Sequence, residues 1–215
     1  MALTLEQAAN AATVAAVGKR LGMPDHAVTV ALATALQESK LRNLDYGDRD
    51  SLGLFQQRPS QGWGTPAQVR DPVRSSVSFY THLRRVRGWQ ALPVTVAAQR
   101  VQRSGAPSAY AQWEDAARQL ARALTGELPA AFACQFRSAP KPAGGVRVQE
   151  RAVVELGPGG LFRGRTTAQT WTATSWLVAH AASYGISTVS VSGMSWTARR
   201  GTWKADPRAD ALVWS

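Results

Sequence analysis

The stretch of residues 31–63 places the strongest constraint on how this chain can fold. It starts as a run of small apolar residues with helical spacing and continues into a polar segment interrupted by glycines. Glu38 lies where the two parts meet. On a helix with about 100° per residue, Glu38 lies about 20° from Ala31 and about 60° from Ala35, so its carboxyl group projects from the edge of the apolar face.

The position predicted for Glu38 has a chemical consequence. A carboxyl group half surrounded by apolar side chains loses hydration of its charged form, so it can stay protonated near neutral pH. A protonated carboxyl group is what general acid catalysis requires. The alternative is an ordinary surface glutamate near a helix end, and this stretch alone leaves both interpretations open.

A second motif follows in the same stretch. The sequence GLFQQ occupies residues 53–57, and Pro59 closes the run. Its glycine permits a tight turn, and the phenylalanine and glutamines offer an apolar surface with amide donors and acceptors, a mixture that suits a sugar. The order Glu38-Ser39, a loop, GLFQ and Pro59 resembles the E-S and G-L-M-Q motifs of soluble lytic transglycosylases and goose-type lysozymes, with Phe55 in place of methionine. The resemblance covers residues 24–125.

This resemblance implies a lysozyme-like helical domain that binds the glycan strands of peptidoglycan and cleaves their β-1,4 bond from N-acetylmuramic acid to N-acetylglucosamine. Glu38 would be the catalytic residue, and we predict neither a metal ion nor another cofactor. In that family a transglycosylase uses the C6 hydroxyl of the sugar and leaves a 1,6-anhydro end, whereas a lysozyme uses water. The predicted substrate-binding residues are Ser39, Gly53, Leu54, Phe55, Gln56, Gln57, Trp63, Gln99, Gln102 and Tyr110.

The family's third motif, A-Y-N, lacks its tyrosine here. In the corresponding region, residues 98–105, Gln99 and Gln102 can supply amides at i and i+3 on one helix face. Tyr110 is a candidate for the cleft, although it also has the spacing of a core residue. Trp63 lies between glycines and is either a stacking platform for a sugar ring or a buried part of the groove wall.

Three carboxylates, Asp45, Asp48 and Asp50, occur in the loop of residues 44–51. One of them could position a water opposite Glu38, or all three could form turns with their own backbone, which we favour. Without a second carboxylate to hold water, a single glutamate can serve both steps of the transglycosylase reaction. The sequence therefore favours the transglycosylase, while the loop keeps hydrolysis open.

The chain is strongly basic, with 25 Lys and Arg against 14 Asp and Glu and a formal net charge of +11. Such a balance indicates an anionic partner, such as an acidic cell-wall polymer, nucleic acid or a membrane surface. The arginines are spread along the chain and no glycine-rich phosphate loop is present, so we predict no nucleic-acid partner. No apolar run reaches the length of a membrane span. The resemblance predicts an extracytoplasmic protein whose export signal or anchor is not in this sequence.

We predict an α+β protein with a mainly helical domain at residues 1–127, a linker rich in Pro and Ala at 128–145, and a small α+β domain at 146–215. Predicted helices span residues 5–20, 24–41, 73–86, 95–103 and 108–124. In the tail we predict a strand at 146–156, a helix at 170–184 and a strand at 186–191.

The tail resembles the C-terminal module of secreted actinobacterial cell-wall proteins. The metallopeptidase-like His/Asp motif that some versions carry is not visible, and His180 is the only histidine of the tail. We therefore predict a binding or packing role for this domain, through Trp196 and Trp203. The single cysteine, Cys134, is predicted to be a small buried residue.

Two other functions stay open on the sequence. One is a non-catalytic wall-binding protein on a lysozyme-like scaffold, in which Glu38 is vestigial. The other is a basic nucleic-acid-binding protein, which would bind DNA with a steep dependence on salt.

Overall fold

The computed structural model describes residues 1–141, 147–161 and 166–215. The chain forms two compact units, residues 1–121 and 122–215. The first unit is helical, and the second combines helices with a small antiparallel sheet. This organisation confirms the predicted α+β class and the predominantly helical N-terminal part.

Local sequence signals account for the ends of the helices in the first unit. Thr4 and Gln7 form a capping box at the start of α1, and the Asp71 carboxylate accepts the first two free amides of α4 at 2.8 and 2.9 Å. The helices are α1 (Leu5–Arg20), α2 (Asp25–Ser39), α3 (Pro66–Val69), α4 (Pro72–Arg85), α5 (Val94–Gln102) and α6 (Glu114–Leu124), which crosses into the second unit. The helices predicted for α1, α2, α4 and α5 are confirmed, with ends shifted by two residues at most.

Helix α2 is the centre of the first unit. All its side chains from Ala27 to Leu36 are buried, as expected for a helix that is small and apolar on every side. The neighbouring helices α1 and α4 approach closely at Gly18, where a Cβ atom would lie 2.6 Å from the hydroxyl oxygen of Tyr80. That hydroxyl donates to the carbonyl of Val14 at 3.0 Å. The helix that carries Glu38 is therefore tightly enclosed up to its last turn.

The second unit contains a four-stranded sheet in the order β3-β2-β1-β4, with antiparallel pairs throughout. β1 and β2 are joined by Ser192 and Gly193, both with positive φ, as in a type I′ hairpin turn. The helices are α7 (Val148–Leu156), α8 (Thr167–Ala179) and α9 (Ala181–Tyr184), and the strands are β1 (Thr188–Val191), β2 (Met194–Thr197), β3 (Trp203–Ala205) and β4 (Val213–Trp214).

One prediction for this unit is wrong. Residues 148–156 form helix α7 and not a strand. Ala152 and Glu155 are buried, while Val153 and Val154 between them are exposed, so burial follows the helical spacing of three to four residues and not the alternation of a strand. Val146, where the strand was predicted to begin, lies outside the described residues, as do residues 142–145 of the predicted linker.

The rest of the predicted linker packs within the second unit. The carbonyls of Phe132 and Cys134 accept hydrogen bonds from the indole nitrogens of Trp203 and Trp196 at 2.8 and 3.0 Å. The unit boundary after Ala121 consequently lies before the predicted end of the first domain. Trp196 is fully buried and Trp203 half-buried, and Cys134 is buried as predicted.

Candidate functional site

Glu38 lies in the last turn of α2 and is half-buried. One carboxyl oxygen, Oε1, accepts hydrogen bonds from the Tyr110 hydroxyl at 2.7 Å and from the Gln102 amide at 3.2 Å. In the part of the chain that the structure describes, Glu38 takes part in no salt bridge. Two neutral donors therefore orient this carboxyl group.

Tyr110 is fully buried and is the hydrogen donor to Glu38. Burial raises the pKa of its phenol above the usual range; a hydrogen bond with Ser104 opposes this shift, and the charge of a Glu38 carboxylate adds to it. The phenol therefore keeps its proton beside Glu38, and its hydroxyl donates to Oε1.

Tyr110 contacts Glu38 because the helix predicted for residues 108–124 begins only at Glu114. A 3-10 turn at Ala111–Trp113 precedes α6, which starts at Glu114. The prediction of a continuous helix from Ser108 is therefore wrong, and the segment around Tyr110 turns back toward α2.

Gln102 connects Glu38 to the GLFQQ segment. Its amide nitrogen donates both to Glu38 Oε1 and to the carbonyl of Phe55, the second at 2.8 Å. Its amide oxygen is buried and has no hydrogen-bond partner among the described residues. The side chain of Gln102, at the end of α5, is therefore hydrogen-bonded both to Glu38 and to the turn at residues 52–57.

The turn at residues 52–57 is fixed by backbone bonds. Leu52 and Gln57 exchange two hydrogen bonds of 3.0 and 3.1 Å, and Gly53 has a φ of 76°. A Cβ atom at Gly53 would lie 2.1 Å from the carbonyl oxygen of Val69, so only glycine fits at this close approach. The hydroxyl of Ser39 donates to the carbonyl of Leu54 at 2.8 Å and so ties the turn to the end of α2.

The predicted substrate-binding residues divide by burial. The half-buried ones offer side-chain surface to a ligand, whereas the buried ones build the turn and its support. Half-buried are Gln56, Trp63, Gln99 and Gln102, and buried are Ser39, Gly53, Leu54, Phe55, Gln57 and Tyr110. The amide of Gln99 bonds the backbone and hydroxyl of Ser104 at 2.8 and 2.9 Å, so it closes the turn after α5.

A cavity of about 350 Å³ lies beside Gln102. The half-buried ring of Trp63 packs on the ring of His82 at this cavity, with 4.0 Å between the ring centres, so the indole forms part of the cavity wall. The lining residues are Gln61, Trp63, His82, Arg85, Val86, Arg100, Val101, Gln102 and Arg103.

Of the three loop aspartates, Asp50 has a structural role. Its carboxylate accepts hydrogen bonds from Arg58 at 2.8 Å and from the backbone and hydroxyl of Ser60 at 2.7 and 2.9 Å. The Arg58 guanidinium holds the pKa of Asp50 well below its usual range, so the group stays charged and bound. Asp45 and Asp48 are exposed.

The sequence interpretation missed a polar cluster next to Glu38. The indole nitrogen of Trp113 donates to Gln37 Oε1 at 2.8 Å, and the Lys40 ammonium lies 4.2 Å from the centre of the Trp113 ring. Trp113 follows Tyr110 at a spacing typical of core residues, so the sequence did not indicate a polar contact for it. The neighbouring Gln112 could have indicated one, because its amide also donates to Gln37.

Within residues 1–141, 147–161 and 166–215, no group of three or more His, Cys, Asp or Glu side chains is arranged to hold a metal ion. No helix in these ranges combines the length and apolar character needed to cross a membrane. No protein-family model matches this chain, and no curated protein matches it significantly. An assignment of function therefore depends on the residues of the site.

Proposed function

We propose that this protein is a lytic transglycosylase that cleaves the β-1,4 bond between N-acetylmuramic acid and N-acetylglucosamine in peptidoglycan. The observation that carries the proposal is the setting of Glu38, which is half-buried, is oriented by two neutral donors and forms no salt bridge in the described part of the chain. A carboxyl group that is oriented in this way and is partly open to a ligand suits the role of a general acid. Since peptidoglycan lies outside the cytoplasm, the protein acts there.

The hydrogen bonds assign roles to the two carboxyl oxygens. Oε1 accepts from both Tyr110 and Gln102, so the proton of the neutral acid resides on Oε2. Oε2 gives this proton to the glycosidic oxygen as the bond to C1 breaks and an oxocarbenium-like sugar forms. The carboxylate then takes the proton of the muramic acid C6 hydroxyl while that oxygen bonds to C1. This step closes the 1,6-anhydro ring and restores neutral Glu38.

The bonds of Asp50 remove one of the three loop carboxylates as a candidate for activating water, which favours anhydro-ring formation over hydrolysis, while Asp45 and Asp48 are exposed. A hydrolase of this kind needs a second carboxylate to activate water on the opposite face of the sugar. Asp50 is bound to Arg58 and Ser60, so its oxygens are already in use. The internal C6 hydroxyl needs no such base beyond Glu38.

The decisive test is digestion of purified peptidoglycan followed by mass spectrometry of the soluble products. We expect muropeptides with anhydro ends, which are lighter by one water than the reducing ends that hydrolysis gives. The Glu38→Gln variant should release them at least about 10²-fold more slowly. Glu114→Gln is the matched control, since it removes a glutamate that pairs with Arg118 on the surface of α6.

The alternatives give different results. Release of fragments by Glu38→Gln at the wild-type rate would refute the role of Glu38. Reducing ends in place of anhydro ends would identify a lysozyme. Sedimentation of the wild-type protein with insoluble wall, without any release, would identify a non-catalytic wall-binding protein.

A further inference from the structure

We infer that the cavity beside Gln102 binds a carboxylate that the glycan strand itself carries, as the peptide stem of a muramic acid does. The inference rests on the proposed function for the identity of the strand. Its evidence is a set of three arginines, Arg85, Arg100 and Arg103, which line one cavity of about 350 Å³.

The charges of these arginines are not neutralised within the described part of the chain. None of the three forms a salt bridge with a described carboxylate. Among the described residues, the guanidinium of Arg100 donates to a backbone carbonyl, that of Arg87 at 3.4 Å. All three arginines are exposed and stay protonated at any working pH, so their guanidinium groups are available to an anion bound in the cavity.

The fold explains how this concentration of positive charge is tolerated without a ligand. Arg85 and Arg100 lie in the last turns of α4 and α5, and Arg103 caps α5. The carbonyl end of a helix carries partial negative charge, which favours cations there. Two helix ends meet at this cavity and so hold the three arginines at its edge.

The walls suit a small organic substituent better than a bare ion. Trp63, Val86 and Val101 supply apolar surface next to the guanidinium groups, and Gln61 and Gln102 supply amides. A volume of about 350 Å³ lies within the range of small-molecule sites. A carboxylate attached to short aliphatic groups, as in a lactyl-peptide, matches both the charged and the apolar part of this lining.

The location explains why the carboxylate belongs to the glycan strand. Gln102 lines the cavity and also donates to the carboxyl oxygen of Glu38. A group in the cavity therefore lies one side chain away from the reacting acid. A ligand that reaches both positions carries its carboxylate on a sugar next to the bond that is cleaved.

The test measures the binding of two matched probes by calorimetry. One is a soluble glycan strand that carries peptide stems, and the other is the same strand with its carboxylates converted to amides. The variant is Arg85→Gln/Arg100→Gln/Arg103→Gln, and the control is Arg74→Gln, an exposed arginine at the start of the same helix α4. All the proteins also carry Glu38→Gln, so that the strands stay intact, and thermal unfolding verifies that they fold.

We expect the control to bind the native strand at least tenfold more tightly than the amidated one, because charge-assisted hydrogen bonds to arginine are lost on amidation. The cavity variant should bind both strands equally and as weakly as the control binds the amidated strand. A preference for the native strand that survives in the cavity variant would overturn the inference. So would equal binding of both strands by the control.

A third probe, polyglycerol phosphate, separates strand carboxylates from wall phosphates. Loss of binding to this polymer alone in the cavity variant would identify a phosphate site and overturn the inference. Cleavage by the protein with native Glu38 is scored separately. If the protein binds the native strand more tightly than the amidated one but cleaves neither, the proposed enzymatic function is refuted and the cavity assignment stands. If it cleaves the strand but binds both forms equally, the cavity assignment is refuted and the enzymatic function stands.

Discussion

Two glutamates, one in each unit, show how surroundings decide what a carboxyl group does. Glu38 is half-buried and accepts hydrogen bonds from a phenol and an amide. Glu155 is fully buried, and its oxygens bond Arg151 at 2.5 Å and the indole of Trp176 at 2.7 Å. Glu155 forms a salt bridge with Arg151, whereas Glu38 forms none in the described part of the chain and interacts with the Lys40 ammonium through its charge alone.

The difference teaches that a buried carboxyl group bonded to a cation belongs to the structure, whereas a half-buried carboxyl group oriented by two neutral donors keeps part of its surface open to a ligand. Removing Arg151 would leave the buried carboxyl group of Glu155 without this partner, so the pair is part of the structure. The comparison predicts that mutations at the first site change the reaction and that mutations at the second change stability.

The largest effect is expected for Glu38→Gln, which keeps the shape of the side chain and removes the acid. The rate of release of soluble fragments from peptidoglycan should fall by about 10²- to 10⁴-fold, the usual contribution of a general acid. The unfolding temperature should stay unchanged. A rate within tenfold of wild type would contradict the division between the two glutamates.

Arg151→Ala should have the largest effect on stability. It leaves the buried carboxyl group of Glu155 without its salt-bridge partner, which should lower the free energy of unfolding of the second unit by about 3 kcal/mol, at the low end of the range because Arg151 is partly exposed. Urea unfolding followed by tryptophan fluorescence measures this loss. The control is Arg118→Ala, which breaks a surface pair with Glu114 and should cost about 0.5 kcal/mol or less. Equal losses in the two variants would show that burial of the Glu155 pair is unimportant.

Tyr110→Phe should have a smaller effect on the reaction. It removes one of the two donors to Glu38 Oε1 and leaves the ring in place, so the rate should fall about tenfold, as expected for one lost hydrogen bond. Tyr46→Phe is the control, since Tyr46 is 63% exposed and its hydroxyl has no partner among the described residues. A wild-type rate for Tyr110→Phe would mean that Gln102 alone orients the acid.

The sequence was sufficient to predict local features such as helices, but it was insufficient to predict the contacts of Tyr110 and Gln102 with Glu38. The spacing of small apolar residues correctly indicated helix α2, and burial ends there close to Glu38. Tyr110 and Gln102 lie 72 and 64 residues from Glu38, and their approach depends on how the chain turns after α5, which no local pattern encodes. In α7, apolarity was misleading, because Val153 and Val154 are 42% and 45% exposed while Glu155 is buried.

The smallest effect concerns pH and again separates the two glutamates. His180 is buried and stacks on Trp176, and its ring lies 4.0 Å from Glu155. Burial lowers the pKa of His180; the charge of Glu155 and a hydrogen bond to the Trp176 carbonyl oppose this shift, while the charge of Arg151 adds to it. The folded state consequently binds a proton less readily than the unfolded chain.

Stability from this histidine is therefore present above the ordinary histidine pKa of about 6.5 and is lost as the pH falls below it, by at most about 1.4 kcal/mol per pH unit. His180→Gln should reduce the pH dependence of unfolding of the second unit between pH 7 and pH 5, which urea midpoints at both values measure. An undiminished dependence in the variant would assign the effect to other groups. If the dependence is reduced, then protonation of His180 beside Glu155 is coupled to the folding of the second unit, as expected for a glutamate whose surroundings serve the structure.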